Sequence, residues 1–232
     1  MTGGISIYPV GSIGEIQPGD RIADLICQHV SLVGNDVVVV TQKAVSKAEG
    51  MVVGVKDDPE SKRALILSQS RRVLRQRGEL MITETIHGFV CANAGVDYSN
   101  VNPGHAALLP RDSDRSARRI RDGIIARTGV SVGVVISDTF GRPWRQGVTD
   151  VALGVAGIAA ILDLRGTRDW GGRELSATEV CIADEIASAA ELVMGKASGI
   201  PVAVIRGIDP AWLRESSVAK EVIRPHGGDL FR

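Results

Sequence analysis

The chain has 232 residues, of which 44% are hydrophobic and 23% are charged, and its 27 basic residues balance its 27 acidic ones. This length fits one domain over residues 1–232 or two unequal lobes, and zero net charge disfavours nucleic acid binding while allowing a small anionic ligand. No stretch is long and apolar enough to cross a membrane, and three well-separated cysteines fit a reducing compartment, so we expect a cytoplasmic protein.

The first predicted elements are strands and helices that alternate along the chain. Residues 5–10 have strand character, residues 21–30 predict a short amphipathic helix, and four consecutive valines at residues 37–40 indicate a strand buried on both faces. The next elements, in chain order, are a helix over residues 60–76, a hairpin over residues 80–90, a loop over residues 93–110 and a charged helix over residues 111–127.

The second half of the chain continues the alternation. An apolar strand over residues 130–137 precedes a helix over residues 178–194, for which Ser176 and Glu179 form a capping-box pattern. A final strand covers residues 201–206. Because the order lacks a regular βαβ rhythm, it predicts an α/β or α+β fold with a mixed β-sheet and flanking helices.

Asp97 and Asn100 form the first candidate site. They lie three residues apart in a glycine-containing segment after a predicted strand, so both side chains are able to face one ligand. Carboxylate and amide oxygens suit a hard cation such as Mg²⁺ or Mn²⁺. The structural alternative is an Asx-turn, in which both side chains bond their own backbone.

Asp138 and Thr139 form the second candidate site, at the expected carboxyl end of an apolar strand, where ligands collect in open α/β sheets. Arg142 and Arg145 follow within one short loop. A carboxylate and a hydroxyl for a metal, with guanidinium groups close behind for phosphate or carboxylate, are a combination that phosphoryl transfer uses. In the structural alternative, Asp138 caps a following helix and the arginines are solvated.

Two lysines, Lys43 and Lys47, directly follow the four-valine strand. With the hydroxyls of Thr41 and Ser46 they form a candidate phosphate site, although the GxxxxGK[ST] pattern of a P-loop is absent from the sequence. The alternative for each lysine is a solvated surface charge.

With these motifs in view, the sequence resembles the coenzyme F420-0:L-glutamate ligase family, most of all the N-terminal ligase domain of its two-domain actinobacterial form. The similarity extends almost end to end, and several motifs in the same order are more specific than any one of them. The motifs that carry it are residues 8–10, 41–50, 94–101, 138–142, 172–175, 178–180, 183–187 and 204–207.

The resemblance implies a reaction in which GTP, F420-0 and L-glutamate give GDP, phosphate and F420-1, with further extension of the γ-glutamyl tail in many members. It also implies one or two Mg²⁺ or Mn²⁺ ions per site, K⁺ as a further cation, and an intertwined homodimer with the F420 gamma-glutamyl ligase-like fold. Two alternatives stay open, namely a ligase for another glutamyl acceptor and a non-catalytic protein that binds a nucleotide or F420.

The resemblance also implies roles for individual residues. Asp97 and Asp138 would hold one metal ion, and Thr139 would help to hold a second. The residues expected to contact GTP are Ile13, Gly14, Glu15 and Ile16 through their backbone, together with Gln42, Lys47 and Asn100.

Lys196 departs from the archaeal pattern of the family, in which a glutamate after the last long helix reaches the second metal. Because an ammonium group cannot ligate a cation, either another group holds that metal or the lysine supplies part of its charge. The alternative is that Lys196 is a solvated surface charge.

Overall fold

The computed structural model describes residues 4–229. In this part of the chain the strands are β1 Ser6–Val10, β2 Val37–Thr41, β3 Val52–Gly54, β4 Ser70–Arg77, β5 Leu80–Thr85, β6 Val90–Ala92, β7 His105–Ala107, β8 Gly133–Arg142, β9 Arg145–Ala156, β10 Leu162–Asp163, β11 Glu179–Val180 and β12 Val202–Arg206. The α-helices of the same residues are α1 Ile22–His29, α2 Gln42–Ala48, α3 Pro59–Ser68, α4 Ser113–Thr128, α5 Ile182–Met194 and α6 Val218–Glu221. None of these helices is long and apolar enough to cross a membrane.

The central sheet has five strands in the order β1-β12-β2-β8-β9. Strands β2 and β8 run parallel, whereas the other neighbours in this sheet run antiparallel. Three smaller sheets pair β3 with β7, β10 with β11, and β4, β5 and β6 with one another. The predicted mixed sheet with flanking helices is therefore confirmed.

The valines of β2 divide the interior into two apolar layers. Successive side chains of a strand point to opposite faces, so Val38 and Val40 join one layer and Val37 and Val39 join the other. Helices α1, α2 and α4 cover the first layer, and α5 covers the second. The predicted strand buried on both faces is confirmed, because all four valines are completely buried.

Helix α4 confirms the charged helix predicted over residues 111–127. The Asp112 side chain accepts a hydrogen bond from the Arg115 amide at its N-terminus. At its C-terminus Gly129 adopts φ 71°, a left-handed conformation that glycine adopts without steric cost.

The helix predicted over residues 60–76 is wrong in its second half. Helix α3 ends at Ser68, and the residues after it form β4, which pairs with β5. The apolar residues of this segment fit a helical spacing, and nothing local in the sequence marks the change from helix to strand. Residues 70–77 form a strand because they pair with β5 along its whole length.

The capping box predicted before the helix over residues 178–194 is also wrong. Helix α5 begins only at Ile182, and Glu179 lies in β11, where it pairs with Asp163. The Glu179 carboxylate lies 3.2 Å from the Arg165 guanidinium, so it is engaged by a side chain and caps no helix.

Strand β8 extends beyond its predicted end. Instead of stopping at residue 137 it continues through Arg142, because β9 pairs with it along its whole length. Asp138 and Thr139 therefore lie within a strand, opposite Val151 and Asp150.

Candidate functional site

The candidate site lies at the edge of the central sheet where the C-terminal ends of the parallel strands β2 and β8 lie side by side. Thr41, the last residue of β2, pairs with Ser137. Directly beyond these two residues, β2 leads into α2 with its lysines and β8 leads into Asp138 and Thr139. Two motifs that are far apart in sequence thus become neighbours because parallel strands end at a common edge.

Asp97 lies in an ion pair with Lys43. The distance between Lys43 Nζ and Asp97 Oδ2 is 2.7 Å, and Lys43 also donates to the Ser99 hydroxyl at 2.7 Å. The Ser99 amide donates to Asp97 Oδ1 at 2.7 Å, so Asp97 forms the Asx-turn of the alternative interpretation through one of its oxygens. Burial raises the pKa of Asp97, but the hydrogen bonds from Lys43 and Ser99 outweigh it and leave that pKa below its usual value.

Asp138 is held near two other carboxylates. Burial raises its pKa to about 7, and the negative charges of Asp97 and Asp150 add to the increase, whereas the Thr139 amide opposes it. Among residues 4–229, no lysine, arginine or histidine forms an ion pair with Asp138. Its ionised form is therefore destabilised in the protein alone and would be stabilised by an added cation.

Asp150 is a buried carboxylate that the sequence interpretation did not single out. It is 2% exposed and accepts hydrogen bonds from Thr139 Oγ1 at 2.5 Å and from Ser137 Oγ at 3.1 Å. Lys196 Nζ lies 3.0 Å from the same side chain and also contacts the Thr139 hydroxyl. The available signal was a lone aspartate inside an otherwise apolar stretch, which needs a partner wherever it is buried.

Lys196 is 56% exposed, but its charge is paired with acidic side chains and is not free in solvent as the alternative interpretation had it. Its ammonium group contacts Asp150, Thr139 and, at 3.3 Å, Glu191. Burial lowers the pKa of Lys196, but the hydrogen bond and charge of Asp150 outweigh burial and leave the pKa raised, so the group stays protonated.

Lys47 contacts residues 13–16, the first segment that is predicted to bind the nucleotide. Its ammonium lies 2.5 Å from Glu15 Oε1, which joins α2 to the segment after β1. Lys43 and Lys47 are one helical turn apart on α2, so one face of this helix contacts both Asp97 and Glu15.

The remaining residues expected to bind nucleotide differ in exposure. Ile13 and Ile16 are buried in the core, whereas Gly14 has φ 78° and open space on its Cα side. The Gln42 side chain is also buried, 2.8 Å from Ser46 Oγ. Asn100 is exposed, with φ 53°.

Arg142 and Arg145 are not brought to the carboxylates. They pair with each other at the turn of the β8–β9 hairpin, and Arg142 donates to the Gln146 carbonyl at 3.2 Å. At about 3.3 Å per residue, Arg142 lies about 13 Å along the strand from Asp138. Within one copy of the chain they face solvent.

The donor set fits a divalent cation shared with a phosphate-bearing ligand. Within residues 4–229, no three His, Cys, Asp or Glu side chains are arranged as a metal-binding group. Mg²⁺ needs no such cage, because it commonly binds one or two carboxylates, water and substrate phosphates. The destabilised Asp138 carboxylate beside Asp97 is the observation that favours a cation here.

The arrangement combines three ammonium groups with five carboxylates, those of Glu15, Asp97, Asp138, Asp150 and Glu191. The carboxylates suit a hard cation, and the lysines suit the negative charge of a phosphate chain. Sites of this composition serve phosphoryl transfer, in which positioning and charge neutralisation do most of the work.

Comparison with known proteins assigns the family. The sequence profile described as F420-0:Gamma-glutamyl ligase matches residues 11–207. The Coenzyme F420:L-glutamate ligase of Methanothermobacter thermautotrophicus is 41% identical over 250 aligned residues, which cover 99% of each chain. The proteins of the same name from Methanopyrus kandleri and Methanocaldococcus jannaschii are also 41% identical, over 98% and 91% of this chain and 98% and 90% of their own. The chain therefore belongs to the F420-0:gamma-glutamyl ligase family.

Proposed function

We propose that this protein joins L-glutamate to coenzyme F420-0 through an amide bond and uses GTP to drive the reaction. The observation that carries the proposal is the meeting of Asp97, Asp138 and Lys43 at one sheet edge, in a chain whose relatives are named for this ligation. The use of GTP rests on the resemblance of the sequence motifs.

The chemistry requires activation, because the oxygen of a carboxylate is a poor leaving group. An oxygen of the F420-0 carboxylate attacks the γ-phosphorus of GTP, and GDP leaves. The glutamate amine then attacks the carbonyl carbon of the acyl phosphate, loses a proton and expels inorganic phosphate. The products are GDP, phosphate and F420-1, whose new amide joins the F420-0 carboxyl to the glutamate nitrogen, and repetition at the γ-carboxyl of that glutamate would lengthen the tail.

The residues of the chain divide between metal and phosphate. Asp97 and Asp138 would hold Mg²⁺ or Mn²⁺, with Thr139 nearby. When bound, such an ion would neutralise part of the negative charge of the phosphates. Lys47 and the backbone beside Gly14 would receive the nucleotide, since Lys47 already contacts that segment through Glu15. Dependence on K⁺ is a further part of the proposal, drawn from the resemblance.

We also propose that the protein acts as a homodimer. The β8–β9 hairpin extends from the core with two large apolar side chains exposed, Trp144 at 83% and Val148 at 61%. A second copy that covers the hairpin would bury both, and it would bring Arg142 and Arg145 against another subunit.

One observation favours a second candidate function. The ammonium group of Lys196 contacts the hydroxyl of Thr139, which the resemblance assigns to a second metal. A lysine in place of that metal is expected for a site that binds a nucleotide without catalysis. Turnover separates the two functions, because a binding protein would not consume GTP in response to F420-0 and glutamate.

The test is mass spectrometry of F420-0 incubated with the protein, GTP, L-glutamate and Mg²⁺ or Mn²⁺. We expect a product heavier by one glutamyl residue, its formation to require every component, and GTP to outperform ATP at equal concentration. Absence of the product under all metal conditions would refute the ligase proposal. A product formed only with a different acceptor would indicate a ligase of another specificity.

A further inference from the structure

A cavity of about 700 Å³ opens beside the candidate site, between the turn before β6, the N-terminal end of α4 and the segment around α6. Its volume is within the range of sites for small organic ligands. Phe89 lines the cavity and packs edge-on against Phe140, with 6.2 Å between the ring centroids. The carboxylates and lysines of the candidate site do not line it, so it is a separate space.

The cavity is lined by four basic side chains, Arg71, Arg111, Arg118 and Lys220. Arg71 lies 3.8 Å from Glu84, at the outer limit of an ion pair. In the part of the chain that the structure describes, Arg111, Arg118 and Lys220 form no ion pair with a carboxylate. Three basic side chains of the wall are therefore not held in an ion pair.

The same wall carries four acidic side chains, of which two are neutralised by ion pairs with arginines outside the cavity and two, Asp112 and Asp114, keep a negative charge while accepting hydrogen bonds. Asp112 caps α4, and the buried Asp114 accepts hydrogen bonds from the amides of Val155 and Val218 at 2.9 and 3.0 Å. The ion pairs of the other two acidic residues are Glu215 with Arg121 and Glu221 with Arg214.

With these ion pairs set aside, three unpaired basic groups face two unpaired carboxylates, so the concave wall has a small excess of positive charge. Protein walls of low dielectric constant strengthen the field of charges in a cleft. Burial lowers the pKa of His87 at the cavity wall, and the charge of Arg71 lowers it further, so this ring adds no charge of its own at neutral pH. Guanidinium groups bind carboxylate and phosphate oxygens in pairs, and Phe89, Leu153 and Ile223 offer apolar surface to a carbon skeleton.

We propose that this cavity is a second anion-binding site, which takes a small molecule bearing two or more carboxylate or phosphate groups. Arg111 and Arg118 bind the anionic groups, and Lys220 contributes further positive charge. The proposal does not depend on the ligase reaction, because the residues that carry it lie outside the candidate site.

The test is calorimetric titration of the full-length protein with two probes, tri-γ-glutamate for carboxylates and pyrophosphate for phosphates. We expect at least one probe to bind and the double variant Arg111→Gln/Arg118→Gln to weaken that binding by about tenfold or more, since each lost charged hydrogen bond costs about that factor. The single variant Lys220→Gln should weaken it less, and added salt should weaken it in the parent. The preferred probe identifies whether carboxylate or phosphate is the ligand chemistry.

The matched control is Arg115→Gln, which removes an exposed arginine of the same helix that does not line the cavity. It should bind the probe as the parent does. The proposal is overturned if neither probe binds the parent, or if Arg115→Gln weakens binding as much as the double variant. It is also overturned if Lys43→Gln abolishes probe binding while the double variant leaves it intact, because the probe would then occupy the candidate site.

Discussion

The ammonium group of Lys196 bridges the hydroxyl of Thr139 and the buried carboxylate of Asp150, with 3.0 Å between Nζ and Asp150 Oδ1. Glu191 lies 3.3 Å from the same nitrogen. The lysine thus holds together two acidic side chains and the hydroxyl that the resemblance associates with a second metal. In the protein alone, its positive charge offsets the charge of the Asp150 carboxylate.

We predict that Lys196→Glu makes stability dependent on a divalent cation. The variant places a third carboxylate beside Asp150 and Glu191 and should lose about 1–3 kcal/mol in EDTA, between the values for exposed and buried ion pairs. Mn²⁺ or Mg²⁺ should restore most of that loss, because three carboxylates and a hydroxyl are ligands for a hard cation. The measurement is the thermal midpoint in EDTA and in each metal.

Lys196→Met is the control for this prediction. It removes the same positive charge without adding a ligand, so it should be destabilised in EDTA and gain little from metal. Equal midpoints of Lys196→Glu in EDTA and in Mn²⁺ would show that the carboxylates do not form a cation site.

We predict that Asp97→Asn and Asp138→Asn each slow ligation by about 10³-fold or more. Each change removes one of the two charges proposed to hold the metal that neutralises phosphate, and such losses in catalytic sites have this magnitude. Product formation measured by mass spectrometry checks the prediction. Near-parent rates in either purified variant would remove that residue from the proposed metal site.

The same two variants should differ in stability when no metal is present. Asp97→Asn loses the ion pair with Lys43, so its thermal midpoint should fall. Asp138→Asn removes a charge that burial and two neighbouring carboxylates destabilise, so its midpoint should stay equal or rise. A lower midpoint for Asp138→Asn than for Asp97→Asn would contradict this account of the electrostatics.

The core strands could be predicted from the sequence, but element boundaries fixed by distant partners could not. Four consecutive valines specify β2, because β-branched side chains fill both faces of a buried strand. The extension of β8 through Arg142 depends on its pairing with β9, which no local pattern of β8 reveals. The same holds for Glu179, whose spacing from Ser176 predicted a capping box but which lies in a strand because β10 pairs with β11.

The motifs indicated which segments would meet, but not which side chains would pair. The sequence predicted phosphate-binding lysines after β2, yet only the packing of α2 shows that Lys43 contacts Asp97 while Lys47 contacts Glu15. Asp150 was missed because its partners lie 11 and 46 residues away, on β8 and after α5. Such contacts depend on strand register and helix packing, which are set by the whole fold.

We predict that Trp144→Ser weakens the proposed homodimer. A second copy that covers this indole, which is 83% exposed at a hairpin turn, would bury a large apolar surface, and buried tryptophans often dominate interfaces. Light scattering after size-exclusion chromatography should show more monomer at low concentration than for the parent. Trp170→Ser, at a tryptophan that is fully exposed elsewhere, is the control and should leave the assembly unchanged. A parent that is monomeric at all concentrations would refute the dimer.

We predict that Gly154→Ala destabilises the fold, because β9 touches the N-terminal end of α4 at this glycine. A methyl group there would overlap the backbone of Ser113 and Asp114, which cannot rotate away as a side chain would. Overpacking of this kind costs about 1–3 kcal/mol, and it would also disturb the hydrogen bond from the Val155 amide to Asp114.

The control for this change is Gly141→Ala, in the same hairpin. Nothing lies within 4 Å of a methyl group at that position, and its backbone is not left-handed. Gly141→Ala should therefore leave the free energy of unfolding within about 0.5 kcal/mol of the parent, as surface changes usually do. Urea unfolding of both variants measures the difference, and equal stability of the two would show that α4 moves away from β9 without cost.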